Sequence, residues 1–270
     1  MKNFLIRTAS GFVFVFVIVS LLIVHQTGMF VLFLLINILA LIEFYNLSYK
    51  IKVLPYKLPG VISGVIIYTL AYLVAIASIP REYLLFAILI IPMTGIIPLF
   101  YKASTVFKSW GPTLFGILYV SVPLSFLPFI SYITGEYNYK IPLGIFIIIW
   151  LNDSFAYITG SLLGKTRIFP SVSPKKTWEG SIGGLVFSTA GAVALSAFLG
   201  ILPLLHWLIL TIVIVITAIL GDLIESALKR NAGVKDSGFL MPGHGGTLDR
   251  FDSFLFSVPF VFIYLYLMVF

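Results

Sequence analysis

The sequence predicts an all-α fold: a polytopic helical membrane protein of about nine transmembrane helices, with the N-terminus inside and the C-terminus outside. Three observations predict it. First, 60% of the 270 residues are hydrophobic and only 10% are charged, whereas a soluble domain carries about 25% charged residues. A water-soluble fold of this composition lacks the polar surface to cover itself. Second, the apolar residues fall in runs close to the roughly 20 residues that a helix needs to cross a bilayer. Third, the basic residues between those runs are strongly biased to one side.

Nine runs carry the count, at about 9–25, 29–47, 59–79, 83–101, 110–133, 141–161, 181–200, 204–225 and 252–270. The first follows Lys2 and Arg7 and resembles a signal peptide. No small-residue cleavage site follows His25 and another apolar run begins at once, so it is read as a retained helix. Alternating the runs from a cytoplasmic N-terminus leaves only Arg81 and Lys140 of the 17 Lys and Arg residues outside. A wrong helix count would scramble that asymmetry. The chain then divides into an N-terminal region, 1–140, of about five spans, and a C-terminal catalytic region, 141–270, of about four. The latter carries two long cytoplasmic connections, 162–180 and 226–251.

Composition also excludes chemistry. There is no cysteine, so disulfides, zinc–thiolate sites and thiolate nucleophiles are ruled out. The net charge of +7 sits between apolar runs. It therefore fits cytoplasmic loops facing anionic headgroups rather than nucleic acid. Gly60-x-x-x-Gly64 and Gly180-x-x-x-Gly184 have the spacing for close helix packing and leave room for a homodimer. Pro92, Pro98, Pro123 and Pro128 lie within spans and are expected to kink them. His25 and His206 fall near outer ends and read as interface residues.

The polar chemistry gathers in three places, all on the cytoplasmic side. Asn152-Asp153 lies inside the sixth span. A carboxylate there costs about 2.5–3.5 kcal/mol even on the mild insertion scale, so it needs a cation, a metal, a water-filled cavity or a buried hydrogen bond between helices. Ser173-Pro174-Lys175-Lys176-Thr177-Trp178-Glu179-Gly180 follows. Its lysines are either interface anchors or a pair of ammonium groups facing an anionic substrate. The third place, 222–252, is the densest. It holds four Asp, one Glu, two Lys, two Arg and one His, while the rest of the chain holds five acidic groups.

Spacing gives that segment a geometry. Asp222, Ser226 and Lys229 stand at i, i+4 and i+7 and share one face if the eighth span continues as a helix. Glu225 lies beside them. Gly243, Gly245 and Gly246 flank His244, and a glycine-rich turn lets backbone N–H groups approach an anion. Asp249 and Asp252 follow at i, i+3. Carboxylates from two helices suit a hard cation such as Mg²⁺, which takes oxygen ligands and bridges to phosphate. The combination reads as metal-assisted phosphoryl or nucleotidyl transfer.

The stretch Ser226-x-x-Lys229-Arg230-x4-Lys235-Asp236-x5-Pro242-Gly243-His244-Gly245-Gly246-x-x-Asp249-Arg250-x-Asp252 resembles the signature of the phosphatidate cytidylyltransferases, or CDP-diacylglycerol synthases. Ser173 to Gly180 is similar to that family's second motif, and Asn152-Asp153-Ser154-Phe155-Ala156-Tyr157 to a third, with Phe155 in place of a usual glycine. The resemblance covers about 150–270. It implies the joining of CTP and phosphatidic acid to CDP-diacylglycerol and diphosphate, with Mg²⁺, in phospholipid biosynthesis. By this resemblance Asp222 and Asp249 hold the metal with Asp252 nearby. Lys229, Arg230, Lys235 and Arg250 neutralise phosphate charge, and the turn at His244, Gly245 and Gly246 binds phosphate. Ser226 and Asp236 complete the signature around them. Ser173, Lys175 and Lys176 receive the second phosphate substrate, and Asp153 projects into the same cavity. Asp249→Asn is expected to abolish turnover while the protein still inserts.

Such an enzyme is expected in a bacterial inner membrane, its site facing the cytoplasm, where CTP and a lipid headgroup meet. Two other readings compete. A CTP-dependent polyprenol or lipid kinase would use similar groups. An ion-coupled transporter could use Asp153, Asp222 and Glu225, but the outer segments are almost free of ionisable groups.

Overall fold

The structure is a computed structural model that describes residues 2–96, 106–238 and 245–270. Among the described residues ten α-helices run in order: α1 (Lys2–Val24), α2 (Gln26–Lys50), α3 (Lys57–Ala75), α4 (Leu84–Met93), α5 (Val106–Gly116), α6 (Val122–Ser131), α7 (Lys140–Leu163), α8 (Trp178–Leu199), α9 (Leu204–Asn231) and α10 (Leu248–Met268). A π-helical segment, Ile117–Ser121, joins α5 to α6 just ahead of Pro123, so residues 108–131 form one continuous span. Among the described residues seven helices are long and apolar enough to cross a bilayer: α2, α3, the 108–131 span and α7 to α10. Ser10–Val24 is a shorter apolar helix. The chain is thus a polytopic helical membrane protein. Of the run at 83–101, α4 accounts for the first part, with Pro92 one residue before its end. Residues 97–105, including Pro98, lie outside the described residues.

One element departs from the all-α reading. Within the 162–180 connection, β1 (Arg167–Phe169) pairs antiparallel with β2 (Ser173–Thr177). Strands of three and five residues are too short to leave a periodic signal. The other long connection is shorter than expected, because α9 runs on to Asn231 and α10 begins at Leu248. The stop after α9 is chemical. Gly233 takes the left-handed conformation (φ 67°), Val234 N donates to the Lys229 carbonyl and Gly233 N to that of Arg230, which is the Schellman ending.

The chain forms two compact units. One comprises 1–137 and 228–251, the other 138–227 and 252–270. In the first, α2 is the central element, burying Phe33, Ala40, Leu41, Phe44 and Tyr45. Asn37 is fully buried there. Its amide donates to the Gly64 carbonyl at 3.0 Å and accepts from Ser121 Oγ at 2.7 Å. A side chain at Gly60 would run into the Tyr45 ring, and one at Gly64 into Leu41 and Ser121. In the second unit, α7 and α8 form a tight pair. Gly180 and Gly184 of α8 face Ala156, Gly160 and Asn152 of α7, and Ser188 Oγ donates to the Ile148 carbonyl. Both glycine pairs therefore serve packing inside the chain.

Candidate active site

The second unit gathers acidic and basic side chains around one cavity. The hairpin is placed by the start of α8. Thr177 caps that helix, accepting from Gly180 N at 3.2 Å. Glu179 in its first turn accepts from Lys165 N and Thr166 N at 3.1 and 3.2 Å. These bonds aim β2 so that Ser173, Lys175 and Lys176 line a cavity of about 300 Å³, together with Asp153 of α7 and Asp222 of α9. Asp153 is exposed to this cavity rather than sealed among helices, which removes the burial cost its place in an apolar run would otherwise carry. Beside it Asn152 is buried and donates to Asp153 Oδ1 at 3.3 Å. Lys176 forms an ion pair with Asp222.

Helix α9 changes character at Gly221. Before it the helix is apolar; after it come Asp222, Glu225 and Ser226 within about one turn. Ser226 Oγ donates to Asp222 Oδ1 at 3.2 Å. Gly221 is buried where α10 crosses: a β-carbon there would stand 2.6 Å from the Asp252 carbonyl oxygen and 2.8 Å from Phe256 Cβ. The close crossing brings Asp252 to the two acidic groups of α9. One carboxylate oxygen each from Asp222, Glu225 and Asp252 lies within 4.8 Å of the others. Glu225 is fully buried, Asp252 is 8% exposed, and Asp222 opens to the cavity. This all-oxygen donor set suits a hard divalent cation.

The remaining signature residues belong to the first unit. Lys229, at the end of α9, pairs with Asp249 at 2.5 Å, both largely buried. Asp249 Oδ2 also accepts from Ser237 N and Gly246 N at 2.8 Å, and shares the single Ser237 hydroxyl proton, at 2.9 Å, with a second acceptor. Gly245 adopts φ 84°, and a β-carbon there would meet Asp249 Oδ2 at 2.6 Å. Arg230 donates to the Val234 carbonyl. Arg250, Lys235 and Asp236 are exposed. His244, with Pro242 and Gly243, lies outside the described residues.

Sequence reasoning thus anticipated Asp222 and Asp252 as neighbours, and Asp153, Ser173, Lys175 and Lys176 around one cavity. The third carboxylate of the trio is Glu225, not Asp249, which is engaged with Lys229 and with the backbone N–H groups of Ser237 and Gly246. Glu43 was passed over entirely. It carried a signal, being a lone carboxylate in the apolar run of α2, where an ionisable group marks a functional place by default.

A helical membrane protein with a carboxylate trio beside a lysine-lined cavity has the chemistry of an enzyme that handles phosphates. The model of the cytidylyltransferase family matches residues 5–268, and the chain belongs to that family. It is 43% identical over 154 residues to the phosphatidate cytidylyltransferase of Staphylococcus saprophyticus, covering 56% of this chain and 57% of that one. It is 47% identical over 120 residues to the protein of the same name from Bacillus subtilis, covering 44% and 45%. With the Staphylococcus haemolyticus protein of that name the figures are 48% over 122 residues, 44% and 46%. The chain spans about half the length of the curated relatives it matches.

Proposed function

We propose that this chain is a phosphatidate cytidylyltransferase. A phosphate oxygen of phosphatidic acid attacks the α-phosphorus of CTP. The new P–O bond gives CDP-diacylglycerol, and the bond to the bridging oxygen breaks, releasing diphosphate with the electron pair. The observation that carries the reading is the trio Asp222, Glu225 and Asp252 adjoining the cavity of Lys175 and Lys176. Family membership and the names of the relatives support it.

The donor set fits Mg²⁺, because all three ligands are carboxylates from two helices in a fixed crossing. When bound there, the ion would offset the negative charge that two phosphate substrates bring together. The chain's own groups do the rest. Lys175 and Ser173 hold a phosphate in the cavity. Lys176 balances Asp222 and is released to phosphate when that carboxylate is otherwise engaged. Asp153 orders the cavity from α7. Asp249, paired with Lys229, holds Ser237 and Gly246 between α9 and α10. A phosphate monoester is already anionic at neutral pH, so no general base is required.

The positive-inside bias supports nine spans with the N-terminus and the site on the cytoplasmic face. The relatives' organisms support a bacterial cell membrane. The experiment is direct. Purified protein given labelled CTP, phosphatidic acid and Mg²⁺ is expected to yield a lipid-soluble cytidine product and free diphosphate. CDP with a phosphorylated lipid would identify a kinase instead. Ion flux in proteoliposomes lacking CTP would identify a transporter.

A further inference from the structure

Glu43 is the only acidic residue in α2, and it is 8% exposed. Its carboxylate is nonetheless fully used within the first unit. Oε1 accepts from Thr247 N at 2.8 Å, and Oε2 from Leu248 N at 2.8 Å and from Ser237 Oγ at 3.0 Å. The same Ser237 hydroxyl stands 2.9 Å from Asp249 Oδ2. The backbone at 237, 246, 247 and 248 thus gives four N–H groups to two carboxylates, Asp249 of α10 itself and Glu43 from some two hundred residues away. The glycines make room: a β-carbon at Gly238 would stand 2.5 Å from Glu43 Oε1, and one at Gly246 2.5 Å from Ser237 Oγ.

Ordinary helix capping does not need this arrangement. Thr247 precedes the first residue of α10, and a threonine there normally accepts from its own helix. Its hydroxyl makes no hydrogen bond to the described residues. A carboxylate set in an apolar helix instead accepts from the N–H groups of Thr247 and Leu248. The position of α10's first turn is therefore fixed from α2, and Asp252 follows on the same helix about one turn later.

We propose that Glu43 is a positioning residue for the transfer reaction. It holds Ser237, Thr247 and Leu248 so that Asp249 meets Lys229 and α10 starts in the phase that presents Asp252. The inference rests on the function proposed above. The test is Glu43→Gln, which keeps the shape but sets an amide donor against a backbone N–H, with Glu43→Asp as the conservative partner. In Glu43→Gln, amide hydrogen exchange across 245–252 is expected to rise about tenfold while α7 is unchanged. kcat is expected to fall roughly 10- to 100-fold with KM for CTP within about threefold. Glu43→Asp, which keeps the charge, should recover part of the kcat. Wild-type turnover in Glu43→Gln would overturn the proposal, as would exchange that rises equally throughout α2 and α3, the mark of lost stability alone. If the wild-type protein makes no CDP-lipid, the function fails, yet the localised exchange change still reports whether Glu43 holds this segment.

Discussion

Asp252→Asn is expected to lower cytidyl transfer by about a thousandfold or more, with the protein still inserted and folded. The asparagine keeps the shape of the second-turn side chain of α10 but loses its charge. The trio of Asp222, Glu225 and Asp252 then has two carboxylates instead of three. A cation held at a phosphoryl site contributes several kcal/mol of charge stabilisation, and each 1.36 kcal/mol is about tenfold in rate. Chelation should abolish wild-type activity and added Mg²⁺ should restore it, whereas Asp252→Asn should need far more Mg²⁺ or fail to respond. Turnover of labelled CTP into lipid, measured across a Mg²⁺ series, decides the matter. Activity within tenfold of wild type at low Mg²⁺, or full activity after thorough chelation, would remove the trio from the mechanism.

The second large effect is steric. Gly221→Val is expected to cost at least about a hundredfold in activity while leaving the chain in the membrane. At Gly221 a β-carbon already stands 2.6 Å from the Asp252 carbonyl and 2.8 Å from Phe256 Cβ, and valine adds two methyls. Overpacking of this kind costs about 1–3 kcal/mol, relieved here by parting α9 from α10. Those helices supply Asp222 and Asp252, and a shift of about 1 Å in a reacting geometry can cost about a hundredfold. Gly111→Ala is the control, because a β-carbon there meets nothing within 4 Å. It should leave activity unchanged. Should Gly221→Val turn over normally, the helix crossing does not set the site.

Much of this was legible in the sequence. Hydropathy marked the long helices because each must bury its backbone hydrogen bonds in lipid on its own. The residues around the cavity were legible because charge is expensive there and rare. Helix phase was not. Asp222 and Glu225 are three apart, as are Asp249 and Asp252, and spacing alone cannot tell which of the four turn toward the facing helix. The close crossing at Gly221 settles that phase, and it brings Glu225 to Asp222 and Asp252. Glu43 was illegible as a partner because no periodicity links α2 to a segment some two hundred residues later. The hairpin at 167–177 was hidden by its brevity.

The length of α9 has a consequence of its own. Its 28 residues extend about 42 Å, against a hydrocarbon layer of about 30 Å. With its N-terminal end at one edge of that layer, about the last two turns would stand beyond the other, in the zone of glycerol and phosphate. Glu225 and Ser226 fall at the base of that stub and Asp222 about one turn below them, close to the level where a diacyl lipid keeps its headgroup. For the proposed reaction, that level would let a lipid substrate enter sideways without being hoisted out of its leaflet, and its product leave by the same lateral route.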